Sequence, residues 1–159
     1  MTGTRGPAAA VDADPAVTVC FLVSIDKYNL GTFTSCDGLG CEVVIEQREE
    51  GGNQRFVYQL PVRLKYTNVK LARPINRDTE KIALWFAGMA GEIERTTARI
   101  DAQTQDGTIV ASWELLDVIP VRWTGPQLNV DSPKVATETL EIAHHGFVSG
   151  AGSGRAKPR

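Results

Sequence analysis

The chain is poor in the residues that usually announce chemistry. Among its 159 residues are three cysteines, two histidines and two methionines. A small, odd set of thiols (Cys20, Cys36 and Cys41) does not make a disulfide framework and points to a reducing compartment. No second pair and no nearby histidine joins Cys36 and Cys41, so a tetrahedral zinc site is not expected and small buried thiols are. His144 and His145 are adjacent, and neighbours in a strand point to opposite faces, so they cannot hold one ion together. An excess of one charge is also lacking. With 17 basic and 19 acidic residues the net charge is -2, which exerts no global pull toward nucleic acid or anionic lipid. Apolar runs stop well short of the ~20 residues that a membrane helix needs, so no membrane-spanning segment is expected. Asp12 and Asp14 stand where a signal peptide would be apolar, so no export signal is expected either.

Catalytic patterns are missing as well. Gly38-Leu39-Gly40 and Gly51-Gly52 lack the Gly-x-x-x-x-Gly-Lys-Ser/Thr pattern of a phosphate loop. Trp85, Trp113 and Trp123 are not interleaved with basic residues as in single-strand binders. Glu42, Glu46, Glu49 and Glu50 could be imagined as acid–base pairs, but they flank a Gly-Gly tip and read as solvated or interfacial charges. The expectation is a protein that is not an enzyme and that has no catalytic residue, no metal and no cofactor.

What the sequence does contain is strand after strand. Residues 17–25 are β-branched and apolar at both parities, as in a strand covered on both faces, and residues 26–31 read as a turn. Residues 40–46 alternate, with Val43 and Ile45 opposite Glu42, Val44 and Glu46. A charged tip follows: Arg48, Glu49, Glu50, Gly51, Gly52 and Asn53. Residues 55–60 return, and Pro61 is expected to end that strand or mark an edge. Residues 63–73 form a further strand, closed by Pro74.

The one helix starts after Asn76 or Asp78, with Glu80 in its first turn, and Gly91 is its expected terminator. Ile82, Trp85, Phe86 and Met89 fall at i, i+3, i+4 and i+7, a single stripe for packing on a sheet. Residues 93–103 and 108–118 make a hairpin around Asp106-Gly107. Breaks are expected at Pro120 and at Gly125-Pro126, and residues 135–143 form the last strand. Residues 1–14 read as a flexible arm, 15–148 as the folded domain, and 149–159 as a flexible, basic Gly/Ser tail. The fold expected is mainly β: an antiparallel β-sandwich or barrel-like subunit with one flanking α-helix and an extended β-hairpin.

Several segments, taken in order, carry a resemblance. They are Phe21-Leu-Val-Ser-Ile25, Phe33-Thr-Ser-Cys-Asp-Gly-Leu-Gly40, Glu50-Gly-Gly-Asn53, Tyr58-Gln-Leu-Pro61 and Asn68-Val-Lys-Leu-Ala-Arg73. Further on come Ala83-Leu-Trp-Phe86, Gly107-Thr-Ile-Val-Ala-Ser-Trp113, Pro120, Trp123-Thr-Gly-Pro126 and Glu138-Thr-Leu-Glu141. Each is weak alone, but in this order they make residues 17–147 resemble the tail-tube protein family of contractile phage tails and contractile injection systems. That family includes conserved phage tail region proteins.

The resemblance implies six copies in a ring, and rings stacked into an inner tube within a contractile sheath. The implied partners are the sheath protein, baseplate or spike, a cap or terminator, and lumen cargo or a tape measure. Assembly in the bacterial cytoplasm, into a phage tail or an injection particle, is implied too. The family's long hairpin reaches the adjacent ring, which makes Arg48, Glu49, Glu50, Gly51, Gly52, Asn53 and Arg55 the implied inter-ring contacts. The competing expectation is a monomeric β-barrel holding a ligand in its mouth. Strand parity leaves two alternatives for the lumen-facing set.

Overall fold

The computed structural model describes residues 20–49, 51–52, 55–131 and 134–148. Expectations for the two terminal segments, for the start of the first strand and for Glu50 and Asn53 lie outside these residues. The order is β1 (Cys20–Ile25), β2 (Tyr28–Phe33), β3 (Ser35–Asp37), β4 (Cys41–Arg48), β5 (Tyr58–Tyr66), β6 (Val69–Pro74), α1 (Thr79–Gly88), β7 (Thr96–Gln103), β8 (Ile109–Thr124) and β9 (Thr137–Ala143). All pairings are antiparallel. Seven strands form one open sheet in the order β2-β1-β7-β8-β9-β6-β3, and β4 and β5 pair only with each other.

The sheet has two halves that share β8. Its first part, up to Val118, pairs with β7, and from Ile119 to Thr124 it pairs with β9. Asp117, at φ 52, falls in the register irregularity just before that change, between Leu115 opposite Ala98 and Val118 opposite Thr96. The halves close over one core. Val23, Ile25, Leu30, Phe33, Ile100 and Leu115 come from one side, and Val69, Leu71, Leu140 and Ile142 from the other. Buried carbon surface of this kind is the main stabilising term of a domain this size. The mainly β, one-helix architecture is the fold class expected, with an open sheet rather than a closed barrel.

Several local expectations are corrected. The turn read over residues 26–31 is confined to Asp26 and Lys27, because Tyr28–Phe33 forms β2 and buries Leu30 and Phe33. Gly31, at φ +84, sits where the β1–β2 register slips and leaves the room that Asp78 occupies. Pro61 does not end its strand but sits, as the other alternative had it, on an edge strand of the two-stranded β4–β5 sheet, and Pro120 does not break the chain. Each lies at a register irregularity, where a missing N–H costs no ladder bond. The strand read over residues 63–73 is interrupted at Thr67 and Asn68. The helix ends at Gly88, with Met89 as its C-cap, before Gly91. At its start Asp78 makes no side-chain cap; Asn76 Oδ1 instead accepts the Asp78 N–H at 2.8 Å. Ile82 and Trp85 are buried, and Phe86 and Met89 lie partly buried against the core.

Candidate functional site

The β4–β5 hairpin is a sheet of its own, yet its pairing keeps the register of the β3–β6 pair. On the sheet, Ser35 faces Ala72 and Asp37 faces Lys70. In the hairpin, Cys41 faces Tyr66 and Val44 faces Arg63. Stepping down one strand and up the other carries the first pairs onto the second without a slip. The hairpin is therefore the β3–β6 pair prolonged past residues 38–40 and 67–68. Eight residues of β4 carry it about 26 Å outward. Gly38, at φ +93, makes the junction, since a Cβ there would collide with the Asn68 carbonyl oxygen.

At the root, Tyr66 packs on His144 and Phe147, with ring centroids 5.5 and 5.9 Å away. A Cβ on Gly146 would lie 3.2 Å from the Tyr66 ring, so that glycine admits the close approach. His144 Nδ1 accepts the Gly146 N–H at 3.2 Å, and burial pulls the imidazole's pKa below the ordinary histidine value. His145, exposed, lies 3.4 Å from Asp117 and 3.3 Å from an Arg95 nitrogen. Burial, with Asp37 adding to it, pushes the nearby Cys36 thiol up to about 11, which leaves it unreactive at neutral pH.

The two hairpin faces differ. One carries Val43 beside Leu64 and Ile45 beside Pro61, with Val62 passed over at the bulge. The other carries Glu42 beside Lys65, Val44 beside Arg63, Glu46 beside Leu60 and Arg48 beside Tyr58. The apolar face is uncovered: Val43, Ile45, Val62 and Leu64 are between 46% and 58% exposed. A lone two-stranded hairpin is marginal in water, and an apolar strip of this kind marks an interaction surface.

The tip residues are placed as follows. Arg48 ends β4, exposed, with its Nε 3.9 Å from Glu46, and Glu49 is exposed beyond it. Gly51 and Gly52 form an exposed turn, with Gly52 at φ +105, and Arg55 is exposed on the return. Phe56 and Tyr58, both exposed, pack edge to face at 5.0 Å. Sequence reasoning singled out the tip charges and passed over the apolar strip, although Val43 and Ile45 already shared a parity.

Sequence reasoning also missed a buried ionic cluster at the other end of β6. Arg73 Nε donates to Glu138 Oε1 at 2.6 Å, and its Nη1 donates to the Leu30 carbonyl. The Thr79 hydroxyl and the Trp123 indole N–H both donate to Glu138 at 3.0 Å, and the Arg73 guanidinium lies 4.3 Å above the Phe33 ring. One pair of charges thereby ties β2, β6, β8, β9 and the first turn of α1 together. The sequence carried a signal for it: Arg73 has the parity of buried Val69 and Leu71, and Glu138 that of buried Leu140 and Ile142.

Among the described residues no group of three or more His, Cys, Asp or Glu could hold a metal ion. No helix among them is long and apolar enough to cross a membrane.

The fold matches a chain in the cryo-EM structure of an extracellular contractile injection system, the PVC sheath-tube complex in the extended state. The TM-score is 0.73 at 18% identity, over 87% of this chain and 92% of that one. A chain of the anti-feeding prophage baseplate aligns with TM-score 0.69 at 22% identity, covering 86% and 95%. A chain of the anti-feeding prophage tube terminating cap aligns with TM-score 0.71 at 19% identity, covering 87% and 97%. The protein belongs to the family of the T4-like virus tail tube protein gp19, whose model matches residues 17–148. A search of curated proteins found no match.

Proposed function

We propose that this protein is the structural inner-tube subunit of a contractile system. Six copies form a ring, and rings stack head to tail inside a contractile sheath, so that contraction drives the tube into a target. Family membership gives the class, and the exposed apolar face of the hairpin carries the assembly reading, since no described residue covers it. Contact between one face and a different face of the next copy propagates without closing and builds a filament. The mixed charges at the tip, Arg48, Glu49, Glu50 and Arg55, together with the Asn53 amide, set the register between rings. The role is structural rather than enzymatic. Sheath, baseplate or spike, and cap or terminator are the partners. The lumen carries cargo or a tape measure, and assembly takes place in the bacterial cytoplasm.

Negative-stain microscopy of the purified protein, alone and with baseplate components, tests this directly. Stacked rings are expected, and small monomers under every condition would refute the proposal. Removing residues 49–53 should abolish stacking and leave the fold intact by circular dichroism. Normal tubes from that variant would remove the hairpin from the interface.

A further inference from the structure

The hairpin and the β8–β9 connection leave the sheet at opposite ends of its strands. β6 pairs Val69 with Ile142 at the hairpin end and Pro74 with Thr137 at the other. There β8 finishes as well, with Thr124 opposite Thr139. The length of β6 separates the two poles by about 17 Å. At the far pole, a concavity of about 660 Å³ opens between the connection and the sheet. Leu128, Val130 and Val135 wall it, Thr137 and Thr139 lie at its floor, and Lys134 is the one charged residue among those described in its lining. These walls lack cover: Leu128 is 79% and Val135 72% exposed, and Val130 is more exposed still. The molecule thus has an uncovered apolar projection at one pole and, at the other, an uncovered recess in which Leu128, Val130 and Val135 stand among the polar Gln127, Asn129 and Thr139.

We propose that this recess receives the hairpin tip of a second copy of the chain. Phe56 and Tyr58 of the incoming copy enter between Leu128 and Val135, and Glu49 faces Lys134. The proposal rests on the stacking reading above and names the surface that stacking requires. Three observations select this occupant. Projection and recess lie at opposite ends of one strand direction, so a copy displaced along that direction brings them together and leaves both free for the next. The recess has the volume of sites that enclose bulky apolar groups. The edge-to-face Phe56–Tyr58 pair is preformed and exposed, so docking orders little that is not already ordered. Lys134 and Glu49 add charge complementarity at the rim.

The experiment places a photoreactive benzoylphenylalanine at position 58 of the full chain and irradiates polymerised material made from mixed isotopically light and heavy copies. Adducts are expected between chains, on the segment that carries Leu128, Val130 and Val135. Adducts between chains but on another surface would overturn the recess and leave stacking through the hairpin intact. Adducts confined to one chain, or a chain that never polymerises, would overturn both. Leu128→Asp and Val130→Asp form a second arm, since neither side chain supports the core. Each should retain the wild-type circular dichroism and melting temperature while lowering the polymerised fraction at least tenfold. Undiminished polymerisation of both variants would refute the recess.

Discussion

β5 and β6 are separated by Thr67 and Asn68, share one register with their partners β4 and β3, and both carry alternating sequences rich in apolar residues. Their surroundings differ. In β6 every second residue is buried, and one of those is an arginine. In β5 everything is exposed except Tyr66 at the root. A strand pattern states which residues share a face; whether the face is covered depends on what packs against it. β6 has β9, β3 and the opposite half of the sheet, whereas β5 has β4 alone. The uncovered strand pair is where the proposed stacking places another molecule.

Substitutions at equivalent positions of the two halves should act on different properties. The largest effect is expected from Arg73→Ala, which leaves the Glu138 carboxylate buried without its cation. Losing one member of such a pair costs about 3–5 kcal/mol, read from the urea or thermal unfolding midpoint. Next comes Leu71→Ala on the covered half, at about 2–5 kcal/mol for a fully buried leucine. Its exposed counterpart, Leu64→Asp, should leave the monomer's unfolding midpoint near wild type and instead prevent polymerisation in sedimentation. A large loss of monomer stability in Leu64→Asp would mean that the hairpin face is covered within its own chain.

A smaller effect is expected from pH at the junction of the two halves. Burial lowers the His144 pKa in the folded protein, so the unfolded chain binds the proton first. The contribution is whole above the ordinary histidine value of 6.5 and is lost as pH falls below it. Unfolding midpoints at pH 7.5 and 5.5 should show this decline, and His144→Phe should flatten it. The smallest effect belongs to Glu46→Ala. Its exposed partner Arg48 lies 3.9 Å away, and the unfolding midpoint should not move.

Much of this architecture was legible in the chain. The β7–β8 hairpin was visible in Asp106-Gly107, and the helix stripe in the spacing of Ile82, Trp85, Phe86 and Met89. β2 was hidden because Asn29 and Gly31 look like turn residues, while Leu30 and Phe33 alone carry its burial. β8 was cut short because Pro120 reads as a breaker, and only the tertiary pairing shows it beside a bulge that tolerates it. The Arg73–Glu138 pair escaped notice because charges at core parity read as exceptions until both strands are seen to meet. For the hairpin, the sequence disclosed the charged tip more readily than the apolar strip behind it. Exposure of Val43 or Leu64 is a property of what is absent around them, which no local pattern records.

The unbroken register at Gly38 also has a mechanical meaning. A hairpin that resumes the register of the β3–β6 pair after the unpaired residues 38–40 and 67–68 hands its load to that pair. A pull or push along the strands reaches the six residue pairs of β6 and β9 side by side, across the direction of their hydrogen bonds. Loaded in that shear geometry the bonds share the force, whereas a sideways pull would open them one at a time. The stiff axis of the sheet is therefore the direction of its strands.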